Sequence, residues 1–237
     1  MRNLNYQSRA IRYWGLQQTT AMVDAMPLET YSFLSERREQ LLQSFNNCLE
    51  NYANVIPSTW PRGSEQLGRR RKLTPSELNE LKRAGSTYIH MHPSTDTTFG
   101  NQVDIRLQQV RLWLPGAELQ PDSAGPKLLK VYLTHLGEEI IQDRDHSNLT
   151  FLHDRVTVIF EYDPARVLSA GDISSDHVFN VQSLEGTHYN NTPAGQGSIA
   201  AIGPFAWWKV DVPGGDVNLD GVTEAYLEFR GTSRPPR

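Results

Sequence analysis

The chain has 237 residues, of which 38% are hydrophobic and 21% charged, and its formal net charge is −4. This length suffices for one large domain or a small domain with an appendage, and no apolar run approaches the roughly 18 residues of a membrane span. The basic residues form no broad basic face of the kind that nucleic-acid binding requires, so we expect no nucleic acid among the partners.

The cysteine content and the N-terminal sequence limit the class of protein further. Cys48 is the only cysteine, so an intrachain disulfide and a cysteine-rich metal site are both excluded. The first 20 residues lack the apolar core of a secretory signal peptide. We expect a protein that is either cytoplasmic or released without a leader, and we leave both locations open.

A long amphipathic helix is predicted in the N-terminal part. Large or apolar residues recur at alternating steps of three and four from Tyr31 to Val55, and Arg38 is the one position that breaks this stripe. Pro27 suits a first helical turn, and Pro57 ends the pattern. We predict a helix from about residue 27 to 55, whose apolar stripe packs on the protein's own sheet or on a second copy in a coiled coil.

The segment after this helix has the composition of a linker. Residues 57–75 are polar and punctuated by proline and glycine. Within them, Arg69–Lys72 is the one concentrated basic cluster, which we interpret as a solvated loop. An acidic partner and a processing site are the alternatives for this cluster.

A short second helix is predicted next. Thr74 and Glu77 have the spacing of a capping box if Thr74 is the N-cap, and Gly85 suits the C-terminal cap. Together, the two helices and the segment between them define a helical arm and linker over residues 1–86.

The hydrophobic period changes to two after this point, which indicates strands. Apolar positions are odd in 103–107 and even in 110–114, and this slip predicts a β-bulge at Gln108–Gln109. Gly137 is predicted to be a turn, and 163–198 a long loop with one strand. Further strands are predicted at 88–92, 128–135, 138–142, 149–153, 155–162, 178–181, 205–212 and 222–230.

Short strands without intervening helices favour an antiparallel sandwich over a parallel α/β sheet. The sequence therefore predicts an α+β protein. Its long and short helices are followed by an antiparallel, jelly-roll-like β-sandwich over residues 87–237.

Two histidines form a weak candidate for a metal site. His90 and His92 would share one face of a strand, as some metal sites require. A third ligand would have to come from His135, His146, His153 or Asp154. Exposed strand and turn histidines explain the pattern more simply, so we expect no metal and no cofactor.

Other catalytic and ion-binding patterns are incomplete. Asp216–Gly221 matches the first half of a calcium loop, but Leu227 stands where a glutamate is needed, so a β-turn is predicted. No nucleophile elbow and no phosphate-binding glycine loop occurs in the sequence. We therefore expect that the protein is not an enzyme.

Aromatic residues remain as candidate binding groups. Trp113, Trp207 and Trp208 lie in or near predicted strands. Adjacent strand residues point to opposite faces, so one of Trp207 and Trp208 is expected in the core. The other would be exposed or covered by the helix, and an exposed tryptophan can anchor a protein interface or stack on a sugar ring.

Four segments carry a resemblance to a known protein family. Ile105–Pro115 looks like a hydrophobic strand ending in Leu-Pro, and Leu133–Gly137 like a strand before a His-Gly-type turn. Gly203–Val210 has the Trp-Lys-hydrophobic strand, and Leu219–Phe229 resembles the terminal strand. Together, these segments resemble the C-terminal β-sandwich of Tc insecticidal toxin A components, and the similarity covers about 135 residues.

The resemblance implies protein docking, because in those toxins this region docks the B–C cocoon. The long heptad shaft and pore-forming segments are missing, so a stand-alone or truncated relative is implied. Our leading hypothesis is a non-enzymatic assembly module that docks another protein, or itself, through its sandwich and helical arm. A carbohydrate-binding sandwich with an exposed tryptophan is the alternative, and a metal-dependent enzyme on His90 and His92 is third.

Overall fold

The described part of the chain combines helices with antiparallel sheets, as expected for the α+β class. A computed structural model describes residues 8, 11–13, 15–16, 31–52, 55–63, 66–119, 128–184, 201–213 and 217–237. The helices are α1 (Tyr31–Tyr52) and α2 (Pro75–Ala84). No helix in the described part of the chain is long and apolar enough to cross a membrane.

Helix α1 confirms the predicted long helix over most of its length. Residues 27–30 and 53–54 of the prediction lie outside the described residues, and Val55 is no longer helical. Leu41 is buried, whereas Tyr31, Leu42 and Phe45 of the apolar stripe are exposed to solvent. Packing in the described part of the structure therefore buries only part of this stripe.

Helix α2 begins and ends at the predicted residues. The Thr74 hydroxyl accepts a hydrogen bond from the Glu77 amide (3.3 Å), and the Glu77 carboxylate accepts one from the Thr74 amide (2.7 Å). Gly85 closes the helix in the left-handed conformation, and its amide donates to the Leu81 carbonyl (2.8 Å). Both ends are thus determined by local side-chain and backbone chemistry.

The predicted linker at 57–75 is wrong in part, because it contains two strands. These are β1 (Ser58–Trp60) and β2 (Arg69–Lys72), and both pair antiparallel with the C-terminal strand, Tyr226–Arg234. Arg69–Lys72 is therefore not a loop. Its backbone is paired while most of its side chains stay in solvent, a combination that polarity alone does not reveal.

The described residues contain ten further strands. They are β3 (Ser86–His90), β4 (Val103–Trp113), β5 (Glu118–Leu119), β6 (Leu129–Gln142), β7 (Asn148–Leu152), β8 (Val156–Tyr162), β9 (Val178–Val181), β10 (Phe205–Asp211), β11 (Val217–Asn218) and β12 (Tyr226–Arg234). In the four-stranded sheet, β12 pairs with β4 on one side and with β1 and β2 on the other. This sheet draws strands from both sides of the predicted boundary at residues 86 and 87.

The six-stranded sheet has the order β3–β10–β6–β8–β9, and β7 also pairs with β6. Strand β9 confirms the strand predicted within the long loop, and three short 3-10 helices between 164 and 177 precede it. Strands β5 and β11 form a separate two-stranded pair. Positions 185–200 of the predicted loop lie outside the described residues.

Strands β4 and β6 each contain an irregularity that tests a prediction. In β4, Gln109 pairs with Arg230 and Leu107 with Gly231, so Gln108 is an extra residue and the predicted bulge is confirmed. The turn predicted at Gly137 is wrong, because β6 continues through it as one strand. Gly137 bends the strand rather than ending it, with a φ of 98°.

The two larger sheets pack face to face over one hydrophobic core. Trp113 of β4 lies 5.1 Å from Phe160 of β8, and Trp208 of β10 lies 6.2 Å from Phe229 of β12, measured between ring centroids. These contacts join the sheets across their inner faces, so the predicted antiparallel β-sandwich is confirmed.

A buried carboxylate ties the four-stranded sheet together. Glu228 is fully buried on β12 and accepts hydrogen bonds from the Trp113 indole (2.6 Å), the Gly68 amide (2.8 Å) and the Arg230 Nε (3.0 Å). Burial lowers the pKa of Arg111, whose guanidinium lies 3.9 Å from Glu228, to about 10, and the Glu228 charge opposes this shift only in part. Because a buried charge is costly unless it is paired and hydrogen-bonded, each of these donors contributes to stability.

We expect Trp113→Phe to lower the free energy of unfolding by about 2–3 kcal/mol, because it leaves an oxygen of a buried carboxylate without its donor. Trp60→Phe is the matched control. Its indole donates to the neutral Ser233 hydroxyl (3.1 Å), so the expected loss is about 1 kcal/mol. Urea unfolding of the two variants measures the difference, and equal losses would contradict the role of the Glu228 charge.

Candidate functional site

The three predicted tryptophans have different environments. Trp113 and Trp208 are fully buried, and the Trp208 indole donates to the Pro204 carbonyl (3.0 Å). Trp207 keeps 47% of its surface in solvent. Trp207 and Trp208 point to opposite faces of the sheet, as predicted. Of the three tryptophans, Trp207 is the one that a partner can reach.

Trp207 belongs to a patch on the outer side of the six-stranded sheet, which we call the Trp207 face: Trp207, His90, Tyr88, Lys209 and Asp211. Trp207 pairs with His90 across β10 and β3, and their rings stack at 4.5 Å with an interplanar angle of 23°. Tyr88 is 49% exposed beside Lys209, whose ammonium lies 2.7 Å from the Asp211 carboxylate. The patch offers a flat aromatic surface next to hydrogen-bonding groups.

The structure does not bring His90 and His92 together with His135. Their ring centroids are 6.2 Å apart, and His92 Nδ1 lies 2.7 Å from the Ser94 hydroxyl. His90 lies on the outer face beside Trp207, whereas His135 pairs in register with the buried Trp208. The two sides of one sheet therefore separate these histidines.

A different group of ionisable residues does come together inside the sheet. His135 Nε2 lies 3.8 Å from one oxygen of Glu139, and His153 Nε2 lies 3.9 Å from the other. His135 and Glu139 are fully buried, and His153 is largely buried. We call these three residues the His–Glu–His cluster; in the described part of the chain it is the one group of three such side chains close enough to share an ion.

The bend at Gly137 brings the cluster together. Four residues of regular strand span about 13 Å, too far for His135 and Glu139 to meet. Between these two residues, β6 has two more residues than its partner β10, and the bulge shortens the distance. The His153 amide donates to the Gly137 carbonyl (2.8 Å), and a Cβ on Gly137 would lie 2.2 Å from the His153 carbonyl oxygen. Only glycine allows this approach.

Two donors and two charges act on the buried Glu139 carboxyl. The Tyr13 hydroxyl donates to one oxygen (2.9 Å) and the Gly203 amide to the other. Burial raises the pKa of Glu139, and the charges of His153 and Arg106 oppose this only in part. Burial also raises the pKa of the Tyr13 hydroxyl, and the charge of Glu139 raises it further. The hydroxyl therefore keeps its proton and remains a donor.

Hydrogen bonds determine which ring nitrogens carry protons. The Gly137 amide donates to His135 Nδ1 (3.1 Å), so that nitrogen is unprotonated and Nε2 carries the hydrogen of the neutral ring. His153 Nδ1 lies 2.6 Å from the Asp154 carbonyl oxygen, which can only accept. His153 Nδ1 is therefore protonated, and its Nε2 faces Glu139.

This arrangement does not fit a shared metal ion. A coordinated imidazole points an unprotonated nitrogen at the metal, close to its ring plane. His135 Nε2 carries a hydrogen, and the rings of His135 and His153 are stacked at 4.7 Å with an interplanar angle of 26°. Nearly parallel planes at that separation do not meet near the two nitrogens, so both rings would have to turn to hold one ion.

Comparison with known proteins gives no family assignment. A scan against protein-family models and a search of curated proteins each return no match.

We expect Gly137→Ala to lower the free energy of unfolding by at least about 3 kcal/mol, because the added methyl combines a positive φ with a backbone clash. Gly100→Ala is the matched control, since Gly100 has a φ of 58° and no atom within 4 Å of its added Cβ. Its expected loss is about 1–2 kcal/mol. Thermal and urea unfolding measure both variants, and equal losses would show that close packing on His153 is unimportant.

Proposed function

We propose that the protein is a non-enzymatic docking module that binds another protein through the Trp207 face and the exposed stripe of α1. The observation that carries the proposal is the half-exposed Trp207, held flat against His90 on an open sheet surface. Tryptophan and tyrosine are enriched among the residues that contribute most to protein interfaces.

The charges on this face suit an interface as well. Lys209 and Asp211 form an ion pair beside the aromatic rings, so the patch has an apolar centre with polar groups next to it. Interfaces commonly have such a centre and a polar rim. A partner would cover Trp207 and Tyr88 and leave the ion pair at the edge.

Helix α1 supports docking independently. Tyr31, Leu42 and Phe45 are exposed along the side predicted to pack on another surface. Apolar residues at helical spacing bury well against a second helix or a groove. A second copy of the chain and a different protein are both suitable partners for this stripe.

The environment of the His–Glu–His cluster supports a role other than catalysis. His135 and Glu139 have no solvent-accessible surface, and Trp208 lies edge-on to the His135 ring at 4.9 Å. A substrate would have to displace the core to reach these groups. Catalytic acids and bases need hydrogen-bond reach to their substrate.

The resemblance to the C-terminal sandwich of Tc toxin A components suggests the kind of partner. It implies a surface that contacts a B–C cocoon, and a purified cocoon is therefore the first probe to use. The proposal of a toxin-related module depends on this resemblance, whereas the proposal of docking depends on the Trp207 face.

A carbohydrate ligand is the second candidate. A flat indole with polar neighbours can stack on a sugar ring and hydrogen-bond its hydroxyls. Trp207, supported by His90 and flanked by Lys209 and Asp211, has these features. Sugar binding would need Trp207 but would not need the stripe of α1.

We expect the chain to bind an immobilised B–C cocoon. We expect Trp207→Ala to raise the dissociation constant about 30-fold, which corresponds to the roughly 2 kcal/mol lost at an interface anchor. Phe179→Ala is the matched control, because Phe179 is an exposed aromatic residue on β9 at the opposite edge of the same sheet. Biolayer interferometry measures both variants.

Sedimentation velocity and a glycan array separate the candidates. Concentration-dependent dimerisation that Phe45→Glu abolishes would identify a second copy as the partner of α1. Glycan binding lost in Trp207→Ala but kept in Phe45→Glu would replace docking with carbohydrate recognition. A chain that stays monomeric and binds neither cocoon nor glycan would contradict the proposed function.

A further inference from the structure

Strand β2 lies at an edge of the four-stranded sheet. It pairs with β12 on one side, and no other described strand pairs with it. Directly after β2, the Leu73 amide donates to the Ala225 carbonyl (2.9 Å). Bonded and unbonded positions alternate along an antiparallel pair, so the N–H and C=O groups of Arg70 and Lys72 point away from β12. We call this side of β2 the β2 edge.

The backbone of the β2 edge is open to a further strand. In the described part of the chain, no hydrogen bond from outside the sheet engages the backbone of Arg70 or Lys72. Both side chains are exposed, so solvent reaches this part of the strand. Unpaired N–H and C=O groups at a sheet edge form a template to which an extended peptide can add.

The β2 edge also has an excess of positive charge. Arg69 and Arg70 are exposed, and neither has a carboxylate partner among the described residues. The Lys72 ammonium lies 2.8 Å from the Glu224 carboxylate. Arg70 and Lys72 share one face of the strand, where their charged groups lie 5.4 and 5.9 Å from the centre of the Tyr226 ring. Three cations therefore stand beside one carboxylate, in a chain whose net charge is −4.

The residue between these two cations differs from them. Arg71 is half-buried, and its guanidinium binds the Glu77 carboxylate with two hydrogen bonds (3.0 and 2.9 Å) and Asp96 with a third (3.1 Å). Successive strand residues point to opposite faces, so Arg71 lies on the other face from Arg70 and Lys72. The positive charge at this middle position is already neutralised.

We propose that the β2 edge binds an extended acidic peptide segment of a partner protein, which adds to it as a further strand. The segment has acidic side chains at every second position, opposite Arg70 and Lys72. This site is separate from the Trp207 face, which belongs to the other large sheet, so it stands independently of the partner suggested above.

Strand geometry determines the pattern of acidic residues that fits. Residues two apart on a strand lie about 7 Å apart on one face, and the same spacing holds for an added strand. Side chains directly opposite each other on neighbouring strands interact, and opposite charges stabilise the pair. Two adjacent acidic residues would instead place one of them at the position of Arg71, where Glu77 and Asp96 already lie.

The open backbone favours a peptide over a nucleic acid. Phosphate groups could contact the exposed cations of the β2 edge. A polynucleotide has no alternating N–H and C=O groups, however, and would leave the outward backbone groups of Arg70 and Lys72 unpaired. A peptide strand satisfies both the charges and the backbone.

Two peptides of equal composition test the pattern on the full chain. One is Thr-Glu-Thr-Glu-Thr-Thr and the other Thr-Thr-Glu-Glu-Thr-Thr, both with blocked ends. In a nuclear magnetic resonance titration we expect the alternating peptide to bind with a dissociation constant at least about threefold lower, because only it meets both cations. At saturation, the amides of Arg70 and Lys72 should gain protection from hydrogen exchange.

Three variants test the roles of the charges. Arg70→Gln should raise the dissociation constant of the alternating peptide about threefold, the effect of one cross-strand charge pair. Glu224→Gln should lower it by a similar factor, because it releases Lys72 from its present partner. Arg83→Gln is the matched control, since it removes an exposed positive charge from α2 and should leave the constant unchanged.

Several outcomes would overturn the proposal. Equal binding of the two peptides, or binding that leaves the amides of Arg70 and Lys72 unprotected, would indicate a charge patch without strand addition. Binding of an oligothymidylate in place of either peptide would make nucleic acid the ligand. If neither peptide binds and Arg70→Gln makes the chain aggregate, these cations only protect the edge from self-association.

Discussion

The bend of β6 at Gly137 is the constraint on which the six-stranded sheet depends. Up to His135 the strand pairs with β8, and from Glu138 onward with β7, while β10 runs along its other side. One strand can pair with all three neighbours only because Gly137, which has no side chain, lets the His153 backbone approach closely. The same bend turns His135 and Glu139 toward each other, so one local feature creates both the sheet pattern and the buried cluster.

Local signals explain what the sequence predicted well. The ends of α2 depend on Thr74, Glu77 and Gly85, which lie within the helix or next to it. The bulge in β4 was visible as a change of phase in the apolar pattern, and the opposite orientations of Trp207 and Trp208 follow from strand geometry. In each case the signal lies in residues that are close in sequence.

The parts that were missed depend on distant pairing. Strand β2 reads Arg-Arg-Arg-Lys and has no hydrophobic alternation, so only its backbone pairing with β12 makes it a strand. Gly137 looked like a turn because glycine commonly separates two strands. The His–Glu–His cluster needs the register of β6 against β7 and β10, although a glycine midway between His135 and Glu139 is a signal that sequence reading could have used.

The central position of β12 has a consequence for how the protein is made. Strand β12 is the common partner of β1, β2 and β4, and the pairing of Trp60 with Gly231 spans most of the chain. Contacts of such high contact order slow folding, since the chain must close a large loop before they form. While residues 226–234 are still inside the ribosome, the other three strands of this sheet have no common neighbour, and their apolar residues, including Trp60 and Leu107, remain open to chaperones or to aggregation.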